Sequence, residues 1–309
     1  MRSRALALAT VLVFAASVGS SGSREGTAPA SPAGPVTLRD LLAQPGEDTA
    51  VAPGGSDFQV GRVRFSFLII RHDGKPVYEP KARIWVATGL DAKPFVQTTA
   101  MLEPIGVPGE SAPALGDVSK LYVTSFVAPR PAKLWLLAQP ESGKPIQAVG
   151  NVIVKQHSFS PAIGSKAIPS QTPTISSTHG NLKTLTTRIP PDRALVRYSI
   201  AGSLAAHKPF VVTFATPKFC SSRTCGPVVD VVDAVREEFA GSGIRFIHVE
   251  VYEKNDPQLG LNRWFKAWHL PSEPWTFVVA SDERIKAKFE GSFSVDELAG
   301  AVRRYLLRR

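Results

Sequence analysis

Cysteine is almost missing from this chain: 309 residues hold two, Cys220 and Cys225, and methionine is as scarce. Two thiols are too few for a closed zinc site, which takes four ligands. With no third cysteine to compete, one intrachain bridge is the simplest pairing. Long apolar runs are missing too. The longest, residues 5–18, falls short of the roughly 20 residues a membrane-spanning helix needs. No interleaving of aromatic and basic residues appears, and the first half of the chain has no cluster of histidines and carboxylates.

What the amino terminus does contain is ordered in three parts. Arg2 and Arg4 precede the apolar run, and Gly and Ser follow it. That is the layout of a secretory signal, assigned to residues 1–22. It holds no cysteine, so a lipid-anchored start is not supported, and a membrane association follows only if the segment is retained. The protein is therefore expected to be secreted or held in the cell envelope, where disulfides form and persist. Lysine and arginine number 36 against 26 acidic residues, a net charge of +10. Apart from the RRYLLRR tail the basic residues are scattered, which reads as a solvated surface with some attraction to anionic envelope components. Nucleic acid is not an expected partner.

Residues 23–56 are rich in Ser, Gly, Pro and Ala and read as a flexible tether, with one short helix at TLRDLLAQ. From residue 57 the pattern changes. VRFSFLII is followed by Asp73-Gly74 and KPVYEPKARIWVAT, a hairpin signal. Further strands read at 120–127, 132–138 and 146–154. Short punctuated strands of this kind predict an antiparallel immunoglobulin-like sandwich over 57–156, with Trp85 and Trp135 in its core. Residues 157–191 are polar and proline-rich and read as a linker or crossover.

Residues 192–309 carry a different period. PFVVTFAT (209–216), IRFIHVEVY (244–252) and PWTFVVAS (274–281) are apolar runs of the kind buried on both faces. PVVDVVDAVREEFAGSG (227–243) has helical spacing between the first two. SVDELAGAVRRYLLRR closes the chain, with Ser294 and Glu297 spaced as a capping box. The order strand, helix, strand, helix, strand, strand, helix predicts two parallel crossovers, a hairpin and a last helix.

Both cysteines fall just after the first buried strand, where sites of open parallel sheets gather. Five positions apart in a regular helix means about 7.5 Å along the axis, whereas a disulfide wants Cα atoms within about 7 Å. SSRT is therefore expected to form a loop before a helix opening at Gly226-Pro227. A helix start beside the thiols, with Lys218 and Arg223 flanking them, favours thiolate. Closing a loop of about six residues stabilises by only about 2 kcal/mol, which favours a redox pair over a structural staple. His248 reads as a core or edge residue, and nothing in the pattern makes a partner of His269 or proton carriers of Asp230 or Glu250.

PFVVTFATPKFC, the helix from Pro227, the EPWTFVV strand and AKFEGSFSVDELAGAV together resemble the thioredoxin-like superfamily over the last third of the chain. The resemblance implies an α/β thioredoxin-like carboxyl-terminal fold after the all-β sandwich. It makes Cys220 the nucleophile, Cys225 its resolving partner and disulfide mate, and Pro274 a cis-proline that positions substrate. It implies protein thiols or disulfides as partners, with neither cofactor nor metal. Four residues separate the cysteines where that family has two, and Phe219 stands where it has tryptophan. Four intervening residues also occur in one class of peroxiredoxins, although Pro217 replaces their Thr or Ser. Copper-delivery relatives, with three intervening residues and a distant histidine, fit less well. An extracytoplasmic thiol–disulfide oxidoreductase is the leading expectation. A thiol peroxidase, and a non-enzymatic envelope binding module with a structural disulfide, stay open.

Overall fold

The computed structural model describes residues 36–109, 118–141, 146–220 and 224–307. The expected signal segment, residues 1–22, lies outside the described residues, as do Arg223 and the first part of the tether. Among the described residues no helix is long and apolar enough to cross a membrane.

The amino-terminal sheet builds itself from alternation. In β3 (Gly61–Ile70) Val63, Phe65, Phe67 and Ile69 are all buried, the period-2 face of a strand. β4 (Lys81–Ala87) contributes Ala82, Ile84 and Val86 to the same interior; β7 (Ala132–Pro140) contributes Leu134, Leu136 and Ala138. Rings fill the centre, with Phe65 stacked on Phe67 at 4.9 Å and Phe67 on Tyr122 at 5.3 Å. Tyr122 belongs to β6 (Lys120–Ala128), which pairs with β3 and with β5 (Val96–Pro104).

The expected sandwich does not form, because this sheet closes. β1 (Glu47–Pro53) pairs antiparallel with β3 and parallel with β8 (Ile146–Lys155). The strands β1, β3, β6, β5, β4, β7 and β8 thus make a closed barrel, with the short β2 (Phe58–Gln59) added beside β8. Gly150 marks the seam: a Cβ there would sit 2.6 Å from the Val51 carbonyl oxygen. The closing strand comes from the stretch expected as tether, as does α1 (Leu38–Leu42), capped by Thr37. Leu38 packs outside the barrel against Trp85, Ala87 and Leu137. Trp85 is therefore buried under a helix on the outer face, and Trp135 is only partly covered there.

The second sheet has four strands in the order β10-β9-β11-β12. β9 (Phe210–Phe214) is buried at every position, and β10 (Arg245–Val249) runs parallel to it through α3 (Cys225–Glu238). The second expected parallel crossover is absent. β11 (Trp275–Val279) lies antiparallel to β9 on its other side and pairs with β12 (Ile285–Glu290). α3 and α5 (Val295–Tyr305) cover one face through Val228, Val232, Leu298 and Val302. α2 (Ile200–Ala205) and α4 (Arg263–Ala267) cover the other through Ile200, Leu204 and Phe265. The molecule is thus mostly β, a barrel and a small mixed sheet with few helices. This replaces the expected α/β thioredoxin-like domain and immunoglobulin-like sandwich.

Charged groups join the barrel rim to the sheet. Arg64 of β3 donates two hydrogen bonds to Glu297 of α5, at 2.8 and 2.9 Å, and a third to the Ser292 carbonyl. Glu290 of β12 accepts from the backbone of Ser56 and Asp57. Lys288 of β12 donates to Ser158 and Ser160, whose hydroxyls also bond the buried Asp57 carboxylate.

Candidate functional site

β9 delivers the chain to a tight turn, where Phe219 N–H bonds the Thr216 carbonyl. Cys220 follows, half-buried. Thr224 stands at the N-cap position of α3, so Cys225 is the first helical residue and is fully buried. The helix therefore begins two residues before the expected start at Pro227. One consequence is chemical. The Cys225 N–H, one of the donors a helix start leaves unsatisfied, points at the Cys220 sulfur at 3.3 Å. Thiolate is the form of sulfur that such a donor and the helix dipole favour.

The two sulfurs are unbridged in this structure. Their sulfurs and one carboxylate oxygen of Glu273 all lie within 4.8 Å of one another. Glu273 stands immediately before Pro274 at the start of β11, and the bond between them is cis. Central, adjacent strands β9 and β11 thus bring together positions about 50 residues apart in sequence. The sequence pattern does not single out Glu273 as a site residue. It carries no local signal, because the β9–β11 register alone places it against the cysteines.

Cys225, Glu273 and Tyr252 are all pushed toward their neutral forms. Cys225 is raised well above an ordinary thiol, first by its hydrogen bond with Cys220, then by burial and by the charges of Cys220 and Glu273. A backbone N–H from Thr216 opposes that shift. Burial, then the Cys220 and Glu250 charges, lift Glu273 to about 8. Glu273 Oε2 is buried with no hydrogen-bond partner among the described residues. Tyr252, which meets Phe219 edge-on at 6.4 Å, is raised by burial and by Glu273 and both thiols.

A second carboxyl supports this cluster from behind. Glu250 follows β10 and is 5 % exposed; its Oε1 accepts from the Thr187 N–H and hydroxyl. The same Thr187 hydroxyl accepts from the Lys218 N–H, which ties the linker stretch to the turn ahead of Cys220. His248 is buried in β10, with its ring nitrogens against Thr186 Oγ1 and the Ala215 carbonyl, as a core residue would be. His269 is exposed and outside the cluster. Asp230 pairs with Arg188 at 2.9 Å on the outer side of α3. Lys218 is exposed, its ammonium over the Phe219 ring.

Two clefts flank the region. One borders Glu250, Tyr252 and Trp264; the other lies at the barrel–sheet junction beside Trp275, Lys288 and Arg64. No family model matches the chain, and no curated protein matches it.

Proposed function

We propose that this chain is an extracytoplasmic thiol–disulfide exchange protein acting on protein thiols or disulfides. The observation that carries the reading is the unequal pair. Cys220 is half-exposed and accepts the first N–H of α3; Cys225 is buried within reach of it. In reduction, the Cys220 thiolate attacks one sulfur of a partner disulfide, and the other partner sulfur leaves as thiolate. The Cys225 thiol then loses its proton, attacks the Cys220 sulfur and expels the second partner sulfur. Two electrons pass to the partner, and a Cys220–Cys225 disulfide remains. In its ionised form the Glu273 carboxylate is close enough to both sulfurs to take up the Cys225 proton and hand it on. The reverse sequence oxidises a partner dithiol. Pro274 is buried and joined to Glu273 by a cis bond, and in this reading its neighbouring backbone is what a partner chain would approach.

The test is the reduction potential of the Cys220–Cys225 couple, with capture of mixed disulfides by Cys225→Ser. A potential in the range of exchange catalysts, about −120 to −270 mV, with partners captured through Cys220, is expected. A potential below about −300 mV with no captured partner would make the bridge structural. Consumption of hydrogen peroxide by the reduced protein, lost in Cys220→Ser and without mixed disulfides, would replace exchange by peroxidase chemistry.

A further inference from the structure

The same three side chains have the composition of a metal site. We propose that Cys220, Cys225 and Glu273 form a three-ligand site for a thiophilic divalent ion of the zinc type, with a fourth position open to an exogenous ligand. This goes beyond the exchange reading and does not depend on it, since it needs only that both sulfurs be reduced.

Geometry comes first. Tetrahedral zinc holds sulfur at about 2.3 Å and carboxylate oxygen at about 2.0–2.2 Å, which puts neighbouring donors roughly 3.5–3.8 Å apart. The three donor atoms here already lie within 4.8 Å of one another. Closing the remaining gap takes at most about 1.3 Å per donor pair, within the torsional reach of a glutamate side chain. The donors stand on well-defined elements: the turn after β9, the first residue of α3, and the residue leading into β11.

Unmet chemistry comes second. Glu273 Oε2 is a buried carboxylate oxygen without a hydrogen-bond partner among the described residues. Such an atom carries a large desolvation cost unless something satisfies it. The same carboxyl stands beside the two thiols. A bound divalent cation satisfies such an oxygen and deprotonates a coordinating thiol outright.

Donor type sets the ion. Two thiolates and one carboxylate select zinc-like ions over magnesium or calcium, which take all-oxygen sites. Three protein ligands with one position open is the pattern of a reactive site rather than a structural one. Neither His248, held by Thr186 and Ala215, nor the exposed His269 fills the fourth place. A Cys220–Cys225 disulfide removes two donors at once, so the metal-bound and oxidised forms exclude each other.

The probe is Co2+, with Zn2+ as competitor, added to the full chain after chelator treatment and phosphine reduction. One equivalent is expected to produce sulfur-to-cobalt charge-transfer absorption and tetrahedral visible bands, both displaced by Zn2+. Cys220→Ser and Cys225→Ser should each reduce the charge-transfer band, and diamide-oxidised protein should show none. Glu273→Gln, checked for native circular dichroism, should keep the sulfur band but weaken binding at least about tenfold. No charge-transfer band at stoichiometric metal overturns the site. Binding unaltered in Glu273→Gln overturns the three-ligand assignment. Because metal titration does not involve a disulfide substrate, failure here leaves the exchange reading standing, and the converse holds.

Discussion

Arg64 offers a measurable test of whether barrel and sheet behave as one folding unit. Its guanidinium makes two hydrogen bonds to Glu297 and one to the Ser292 carbonyl, and it lies 5.4 Å from the centre of the Phe289 ring. The two charged side chains are 19 % and 17 % exposed, so water screens them incompletely. Glu297 also serves as the N3 residue of the capping box that starts α5. Hydrogen bonds to charged groups stabilise by about 1.5–3 kcal/mol each, and stranding one partner of a fully buried pair costs about 3–5 kcal/mol. Partial exposure discounts that figure, and Arg64→Met keeps most of the aliphatic packing over Phe289. A loss of about 2–3 kcal/mol is expected. Urea denaturation, followed by near- and far-ultraviolet circular dichroism, measures it. The double-mutant cycle with Glu297→Gln should show a coupling of about 1–3 kcal/mol. In Arg64→Met the two probes should separate, as the barrel and the sheet lose their shared transition. A destabilisation under about 0.5 kcal/mol, strictly additive with Glu297→Gln, would mean that this ion pair does not hold the barrel rim to the sheet.

Two further outcomes follow from packing and charge. Gly150→Ala places a methyl 2.6 Å from the Val51 carbonyl oxygen at the barrel seam and should cost about 1–3 kcal/mol in thermal or urea melts; an unchanged melt would mean that β1 does not close against β8. Asp233 of α3 lies against Asp192, with Arg236 at 2.6 Å and Arg188 at 3.7 Å, and burial followed by its bond to Asp192 raises it to about 6. The native state therefore holds that proton more tightly than the unfolded chain, whose value is near 3.8. Its contribution to stability is full below about pH 4 and is lost as pH rises through about 6, a change of roughly 1–3 kcal/mol. Asp233→Asn should flatten the stability profile over that window; the same slope in the variant would assign the titration elsewhere.

The closed barrel and the cysteine–glutamate cluster share one feature: each is completed by a residue or strand that carries no local signal. β1 looks like tether because Pro, Gly and Ala dominate its neighbourhood, and only its pairing with both β3 and β8 turns an open sheet into a ring. Alternating burial is the same for a strand in a sandwich and in a barrel, so the pattern in β3 or β7 does not distinguish them. In the second sheet, β11 is apolar at nearly every position and wholly buried, and such a strand has no face pattern to declare its direction. Hence an antiparallel pairing stands where a parallel crossover was expected. The start of α3 is hidden because Gly226-Pro227 is a strong local signal, yet Cys225 enters the helix first.

Local spacing was enough to find most of the strands, though not β1, β2 or β5, together with the two long helices, the capping box at Ser294 and the thiol pair. Each of these is written in spacing between near neighbours. Tertiary structure alone decided the closure of the barrel, the direction of β11, the placing of Arg64 against Glu297 and the meeting of Glu273 with Cys220 and Cys225. Those depend on which backbones pair over long stretches of chain. Pairing partners are chosen by the summed burial of whole strands, which no short segment records.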